Sequence, residues 1–296
     1  MNFRKLKISG YCFALILMTG LWAGCEPNSE NATERVTSGD SWEQVQQQGG
    51  GTVNILYVPS GGFAYEDENG HLTGTTISMY RAFRDWVEEN HEVTLELNFE
   101  SESEWQEFYQ RVAASGDGVM GTGNVTITEE RRDEVQFSPP YLDNIAVLIS
   151  HEDRPELDAM EDIPEVFADQ TGLMYPGTLH GVRMEELRDA YYPDMPLDTV
   201  RSNDDIMNKM EEGDRYFTYV DVYNFVNALY DGIPVKRQEI GDDDDEQFGF
   251  ILPLNSDWIE PITEFFEYDG GFVQSETYRE IVSEHLGEDM TEILVD

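Results

Sequence analysis

Apolar positions along the chain fall into two alternating patterns. Val53 to Val58 forms a short run that predicts a buried strand, and after a Gly-rich turn Met79, Tyr80, Phe83, Trp86 and Val87 recur at helical spacing within Ser78 to Glu89. Val93 to Phe99 alternates as a strand. Trp105, Phe108 and Val112 mark a second helix closed by Gly116, and Gly118 to Gly121 predicts a short strand. After a long apolar strand, Asn144 to Ser150, the order resumes with strands at 172–175, Leu197 to Val200 and Tyr216 to Val220. Helices follow each of these, from Leu179 to Tyr191, around Ile206 and Met210, and around Val222 to Leu229. Phe248 to Leu252 and two helices, one carrying Trp258, Ile262 and Phe265 and one from Ser275 to Leu286, complete the chain. Strands alternating with helices predict an α/β protein with a parallel sheet, built as two successive units without an internal repeat.

The first fifty residues have a different character. Arg4, Lys5 and Lys7 precede an apolar run from Tyr11 to Leu21, the length of a secretory h-region and short for a membrane span. The run ends in Trp22-Ala23-Gly24-Cys25, which resembles a bacterial lipoprotein cleavage box, with Trp22 in place of the usual aliphatic residue. That resemblance implies a signal peptide over residues 1–24 and acylation of Cys25, which would hold the protein on a membrane surface. Residues 25–51 are rich in Asn, Ser, Glu, Gln and Gly, ending in Gln46-Gln47-Gln48-Gly49-Gly50-Gly51, and are expected to form a flexible tether.

Charge narrows the function. The 296 residues carry 61 acids against 18 Lys plus Arg, a formal net charge of −43. A nucleic-acid-binding face, which needs clustered cations to displace counterions, is excluded. Aromatics at 12% and apolar residues at 40% are too many for a disordered acidic chain. Past residue 25 the only lysines are Lys209 and Lys236, so self-repulsion is tolerable chiefly where salt screens it, and a salt-loving source is expected. The run Asp242-Asp243-Asp244-Asp245-Glu246 lacks the alternation and turn glycine of an EF-hand and is expected to be a solvated loop. Both cysteines, Cys12 and Cys25, lie in the N-terminal segment, which excludes a disulfide framework or Cys-ligated zinc further along.

No H-E-x-x-H, G-x-S-x-G, Walker loop or dinucleotide fingerprint occurs, and His71, His91, His151, His180 and His285 show no metal-ligand spacing. No metal or cofactor is expected. The segment from Asn124 through Thr126, Thr128 and Arg131 to Phe137-Ser138-Pro139-Pro140-Tyr141 sets hydroxyls and a guanidinium in a loop after a strand, where α/β sheets place ligands. An arginine fork grips a carboxylate with two parallel bonds, although a lone arginine in so acidic a chain fits a surface ion pair as well.

That segment resembles the signature of the family 3 extracellular solute-binding proteins, the polar amino-acid receptors of ABC importers: Thr, any residue, Thr, two polar residues, Arg, and a close in Phe-Ser-x-Pro-Tyr. Asn69-Gly70-His71-Leu72-Thr73-Gly74 and the stretch from Gly249-Phe250 through Gly270-Gly271-Phe272 to Tyr278 and Gly287 are similar to other parts of the family pattern, so the likeness runs over residues 52–288. It implies a two-lobed α/β fold of the periplasmic-binding-protein type II class with two hinge crossings, near Tyr141 to Ile145 and Val235 to Ile240. Lobe 1 would comprise residues 52–142 and 241–296, and lobe 2 residues 143–240.

The resemblance also assigns roles. Arg131 and Thr126 would bind a ligand carboxylate and Asp221 its ammonium, although Asp221 also stands where a plain helix N-cap would. Thr178, in Gly177-Thr178-Leu179-His180, would add a contact at a helix N-terminus. Phe63, Tyr65 and Tyr141 sit near aromatic positions that could pack on the ligand or simply fill the core. After Gly74 the family pattern has an aromatic and then an acid, where this chain has Thr75-Thr76-Ile77-Ser78, which leaves the side-chain end of the pocket open. The implied function is a lipid-anchored, exported receptor for an amino acid or similar zwitterion that delivers it to an ABC permease, and not an enzyme. The rival readings are an enzyme on the same scaffold, resembling the cyclohexadienyl dehydratases, and a ligand-sensing module.

Overall fold

A computed structural model of the chain describes residues 38–295. The expected signal peptide and Cys25 lie outside the described residues. The described residues open with α1 (Trp42–Gln48), then β1 (Gly50–Tyr57), the short pair β2 (Tyr65–Glu66) and β3 (Leu72–Thr73), and α2 (Thr75–His91). β4 (Thr94–Ser101), α3 (Trp105–Ala114), β5 (Val119–Thr126), α4 (Glu129–Arg132), β6 (Val135–Phe137) and β7 (Leu142–His151) follow. Next come α5 (Ile163–Val166), β8 (Thr171–Met174), α6 (Leu179–Tyr191), β9 (Leu197–Thr199), α7 (Asn203–Glu211), β10 (Tyr216–Asp221) and α8 (Val222–Tyr230). β11 (Val235–Arg237), β12 (Asp243–Pro253), α9 (Ile259–Glu267), α10 (Glu276–Leu286) and α11 (Glu288–Leu294) close the described chain.

The expected tether does not extend to Gly51. Ser41 caps α1 in a reciprocal capping box with Gln44, and Gly49 ends it in the left-handed conformation at φ 75°. The Asp257 carboxylate accepts the Trp42 and Glu43 amides at 2.8 and 3.0 Å, and the Trp42 ring packs 5.2 Å from Trp258 and 5.0 Å from His91. Only Trp42 and Val45 of α1 are buried, so its apolar surface is too small to show as a period in a Gln-rich segment.

The strands run in the order β4-β1-β5-β12-β7-β10-β8-β9, with β6 added to β12 and β11 to β7. Pairs joined by a helical crossover are parallel, as β1 is with β4 and β5 and as β8 is with β9 and β10. β7 and β12, however, are antiparallel to each other and to their outer neighbours, so the sheet is mixed rather than parallel. The first half of β7 pairs with β12 (Leu142 with Phe248, Asn144 with Glu246) and its second half with β10 and β11, while β12 moves on from β7 to β5 and β6. Successive β7 side chains point to opposite faces. Val147 and Ile149 join one apolar core, and Ala146 and Leu148 join a second around Phe167, Met184 and Phe217. Burial on both faces explains why this stretch reads as an unbroken apolar run.

The Asp242–Glu246 run is not a solvated loop. It enters β12, where Asp244 and Asp245 face solvent while Glu246 is buried, 4% exposed.

Candidate functional site

The sites begin where strands end. β5 ends at Thr126, Thr128 caps α4 by accepting the Arg131 amide at 3.2 Å, and the single turn of α4 turns the Arg131 side chain back over the strand end. There its Nη1 donates to the Thr126 carbonyl at 2.9 Å and its Nη2 to the Gly177 carbonyl at 3.3 Å. The guanidinium lies 5.0 Å from the Trp105 ring centre and 5.7 Å from that of Tyr109, two rings stacked on each other at 5.5 Å. Burial is the largest influence on this group and pulls it below the usual arginine value; it stays charged at any physiological pH. The surface-ion-pair reading of Arg131 therefore fails, since its fork meets carbonyls and rings rather than an exposed carboxylate.

On the opposite wall, β10 ends at Asp221, which is 9% exposed. Asp221 occupies the N-cap position of α8 but makes no side-chain cap bond. Its Oδ1 instead accepts from Asn144 Nδ2 at 2.7 Å and from His180 Nε2 at 2.9 Å. Thr178 caps α6, its hydroxyl donating to the Tyr175 carbonyl at 2.7 Å and accepting the Gly181 amide at 3.1 Å. That hydroxyl is spent on the cap, so what Thr178 presents to the cleft is the first turn of α6, whose amides have no intrahelical partner. The preceding Gly177 has φ 82°, and a Cβ there would come 3.0 Å from the Gln106 Cβ, so any other residue strains the β8–α6 loop where it meets α3.

Arg131, Thr126, Thr178 and Asp221 line one cavity of about 190 Å³. That is below the ~300–1,000 Å³ of pockets for drug-sized ligands, and fits one small molecule. The Thr126 hydroxyl has no hydrogen bond among the described residues. Helix N-termini of α6 and α7 both border the cavity, through Thr178 to His180 and Ser202 to Asp204.

The three aromatic candidates do not line this cavity, although the Tyr141 hydroxyl donates to Asn124 at its edge at 3.4 Å. Phe63 is 2% exposed and packs edge-on against Tyr223 at 5.1 Å. The Tyr65 hydroxyl meets His285 Nδ1 at 3.4 Å. Tyr141, 1% exposed, stacks on Phe250 at 4.7 Å, and burial raises its phenol well above the ordinary value. In their place the cavity is faced by Trp105 and Tyr175, with Asn124, His180 and Asp204. Trp105 reads as an ordinary core position of α3, and its indole N–H is held by the Gly123 carbonyl at 2.9 Å. Asn124 sits at φ 51°, a left-handed residue inside the motif segment. His180 stands two residues after Thr178, and that adjacency was the one available signal for it.

The model of the bacterial extracellular solute-binding proteins, family 3, matches residues 56–288. The chain belongs to this family. Its fold is accordingly the two-lobed α/β fold of type II periplasmic binding proteins. Among solved structures, an ancestral arginine-binding protein bound to arginine is similar at 17% identity and TM-score 0.63, covering 79% of this chain and 97% of that one. A structure from work on glutathione import through GshT and the cystine ABC importer TcyBC of Streptococcus mutans is similar at 16% identity and TM-score 0.66, covering 80% and 95%. The arginine-, lysine-, histidine-binding protein ArtJ of Geobacillus stearothermophilus is similar at 18% identity and TM-score 0.61, covering 80% and 96%. No curated protein matches the sequence. Among the described residues no group of three or more His, Cys, Asp and Glu is placed to hold a metal ion, and no helix is long and apolar enough to cross a membrane.

Proposed function

We propose that this family member is the receptor of an ABC importer, exported and held at a membrane by lipid on Cys25, and that it closes on an amino acid or a similar zwitterion. The observation that carries this reading is charge placement: a guanidinium, Arg131, and a carboxylate, Asp221, line the same small cavity from separate strand ends. In it, Arg131 and the Thr126 hydroxyl take the ligand carboxylate together with the first-turn amides of α6, and Asp221 takes the ammonium. Residues 52–142 and 241–296 form one lobe and residues 143–240 the other, the chain passing between them along β7 and β12. Ligand-driven closure follows, because the two ends of a zwitterion gain their partners together only when the lobes meet. The names of similar structures, which include an ancestral arginine-binding protein bound to arginine or to glutamine and a putative L-cystine ABC transporter, support an amino-acid ligand.

Thermal-shift screening against the standard L-amino acids, L-cystine and simple amines tests the proposal. A clear rise in melting temperature with at least one α-amino acid is expected, and silence across the set overturns it. Conversion of prephenate or arogenate to an aromatic product would assign the protein to catalysis instead. Radiolabelled palmitate incorporated by the full chain and lost in Cys25→Ser is the outcome expected of the anchor.

A further inference from the structure

Asp221 is one corner of a closed polar ring that the assignment of ligand contacts does not use. Asn144, on β7, donates from Nδ2 to Asp221 Oδ1 and to Glu246 Oε2, each at 2.7 Å. Glu246, on β12, has its other oxygen 2.6 Å from Arg183 Nη1, an ion pair by distance rather than an aligned hydrogen bond. The same arginine donates from Nη2 to Asp243 at 2.6 Å, and its Nη1 stands 3.5 Å from His180 Nδ1. His180 Nε2 returns to Asp221 Oδ1 at 2.9 Å. A carboxylate only accepts, so this bond assigns the imidazole proton to Nε2 and leaves Nδ1 to accept from Arg183.

Three properties of the ring have a consequence for the cleft. Asn144 and Glu246 are 2% and 4% exposed, so the frame is rigid and solvent does not substitute for a lost member. Its members come from both strands along which the chain crosses the sheet, from the end of β10 and from the first turns of α6. Both bonds to Asp221 fall on Oδ1, and among the described residues none falls on Oδ2, although a carboxylate offers about four acceptor positions. Arg183 is paired with the buried Glu246 and the half-exposed Asp243, Arg131 also feels the charge of Glu246, and the Asp221 carboxylate meets only the uncharged donors of Asn144 and His180. Desolvation is the largest influence on Arg183 and acts downward, yet Glu246 and Asp243 hold it above its usual value.

We infer that Asn144, Glu246, Arg183 and His180 are positioning residues that hold Asp221 with Oδ2 toward the cleft, where it takes the charged nitrogen of the bound solute. The inference rests on the receptor reading above and deepens it. A cationic nitrogen at Oδ2 is then tied through Asn144 and Glu246 to both crossing strands.

The test uses the full folded chain and the strongest binder from the standard L-amino acids and L-cystine, titrated calorimetrically beside its des-amino acid, which keeps the carboxylate and side chain but has no ammonium. Glu246→Gln and Asn144→Ser are each expected to weaken the amino acid by about 10-fold or more, the scale of one hydrogen bond to a charged group, and to leave the des-amino acid within about twofold. Asn144→Ser changes no charge, so its effect separates positioning from long-range attraction, and it serves as the second variant should Glu246→Gln fail to fold. In an Asp221→Asn background the effect of Glu246→Gln is expected to vanish, since it acts through that carboxylate. Equal losses for both probes, or an amino-acid affinity untouched by either variant, overturns the inference while the receptor reading stands. Failure of every amino acid to bind the unaltered protein overturns both.

Discussion

Arg131 is the cation assigned to the ligand carboxylate, and replacing it gives the clearest measurement. In the ligand-bound receptor its fork would make two charge-assisted bonds to a carboxylate, each worth about 1.5–3 kcal/mol. Arg131→Ala removes both, so even at the lower end the loss is about 3 kcal/mol, or more than 100-fold in Kd at about 1.4 kcal/mol per decade. Arg131→Lys keeps the charge but presents a point donor that cannot lie flat over Trp105, where the guanidinium now sits 5.0 Å from the ring centre. One bond and part of the stacking are lost, about 2 kcal/mol, or roughly 30-fold. Both variants also give up donors to the Thr126 and Gly177 carbonyls, so a drop of a few degrees in melting temperature is expected without loss of the fold. Isothermal titration with the best amino-acid hit reads the affinity, and circular dichroism reads the fold. A folded Arg131→Ala protein that binds within about threefold of the unaltered one would place the carboxylate elsewhere and refute the argument.

Three further outcomes follow from features outside the cleft. Trp42→Ala should cost about 3–5 kcal/mol, the range for emptying a buried tryptophan site, which at about 2–4 °C per kcal/mol lowers the melting temperature by about 6–20 °C; a shift under about 2 °C would mean that α1 is not part of the folded body. A net charge of −43 predicts a melting temperature that rises as KCl goes from about 0.1 M to about 1 M, where the Debye length falls from about 10 to about 3 Å, and a flat or falling trend would exclude a salt-adapted surface. His285 hydrogen-bonds Ser78 at 3.0 Å, and burial, the largest influence, lowers its pKa below 6.5, with Arg81 acting the same way and Glu284 opposing. As pH falls below 6.5 the unfolded chain takes up this proton first, so stability is fully present above that value and is lost on acidification. Urea midpoints across that window should fall less steeply in His285→Gln, and parallel slopes would remove His285 from the pH response.

Much of the architecture was legible because burial imposes a period. The 3.6-residue recurrence in α2 and α9, the two-sided apolar run of β7 and the strand–helix alternation all follow from which faces must leave water, and a linear pattern records that directly. α1 escaped because seven residues with two buried side chains make no readable period, and the acid run before Gln247 escaped because Glu246 is buried only by virtue of partners at Asn144 and Arg183. The mixed sheet escaped because strand direction is set by how β7 and β12 cross it, which local pattern does not encode.

The site divides in the same way. Composition and periodicity alone establish a very acidic α/β protein, and the spacing of Thr126, Thr128 and Arg131 places a guanidinium after a strand end. Packing in three dimensions leaves Phe63, Tyr65 and Tyr141 out of the cavity lining while Trp105 and His180 enter it, and has Asp221 bond Asn144 and His180 instead of capping α8. The difference is one of range: caps and periods act over a few residues, whereas a buried carboxylate takes whatever donors the packed chain delivers, here from residues 41 and 77 positions away.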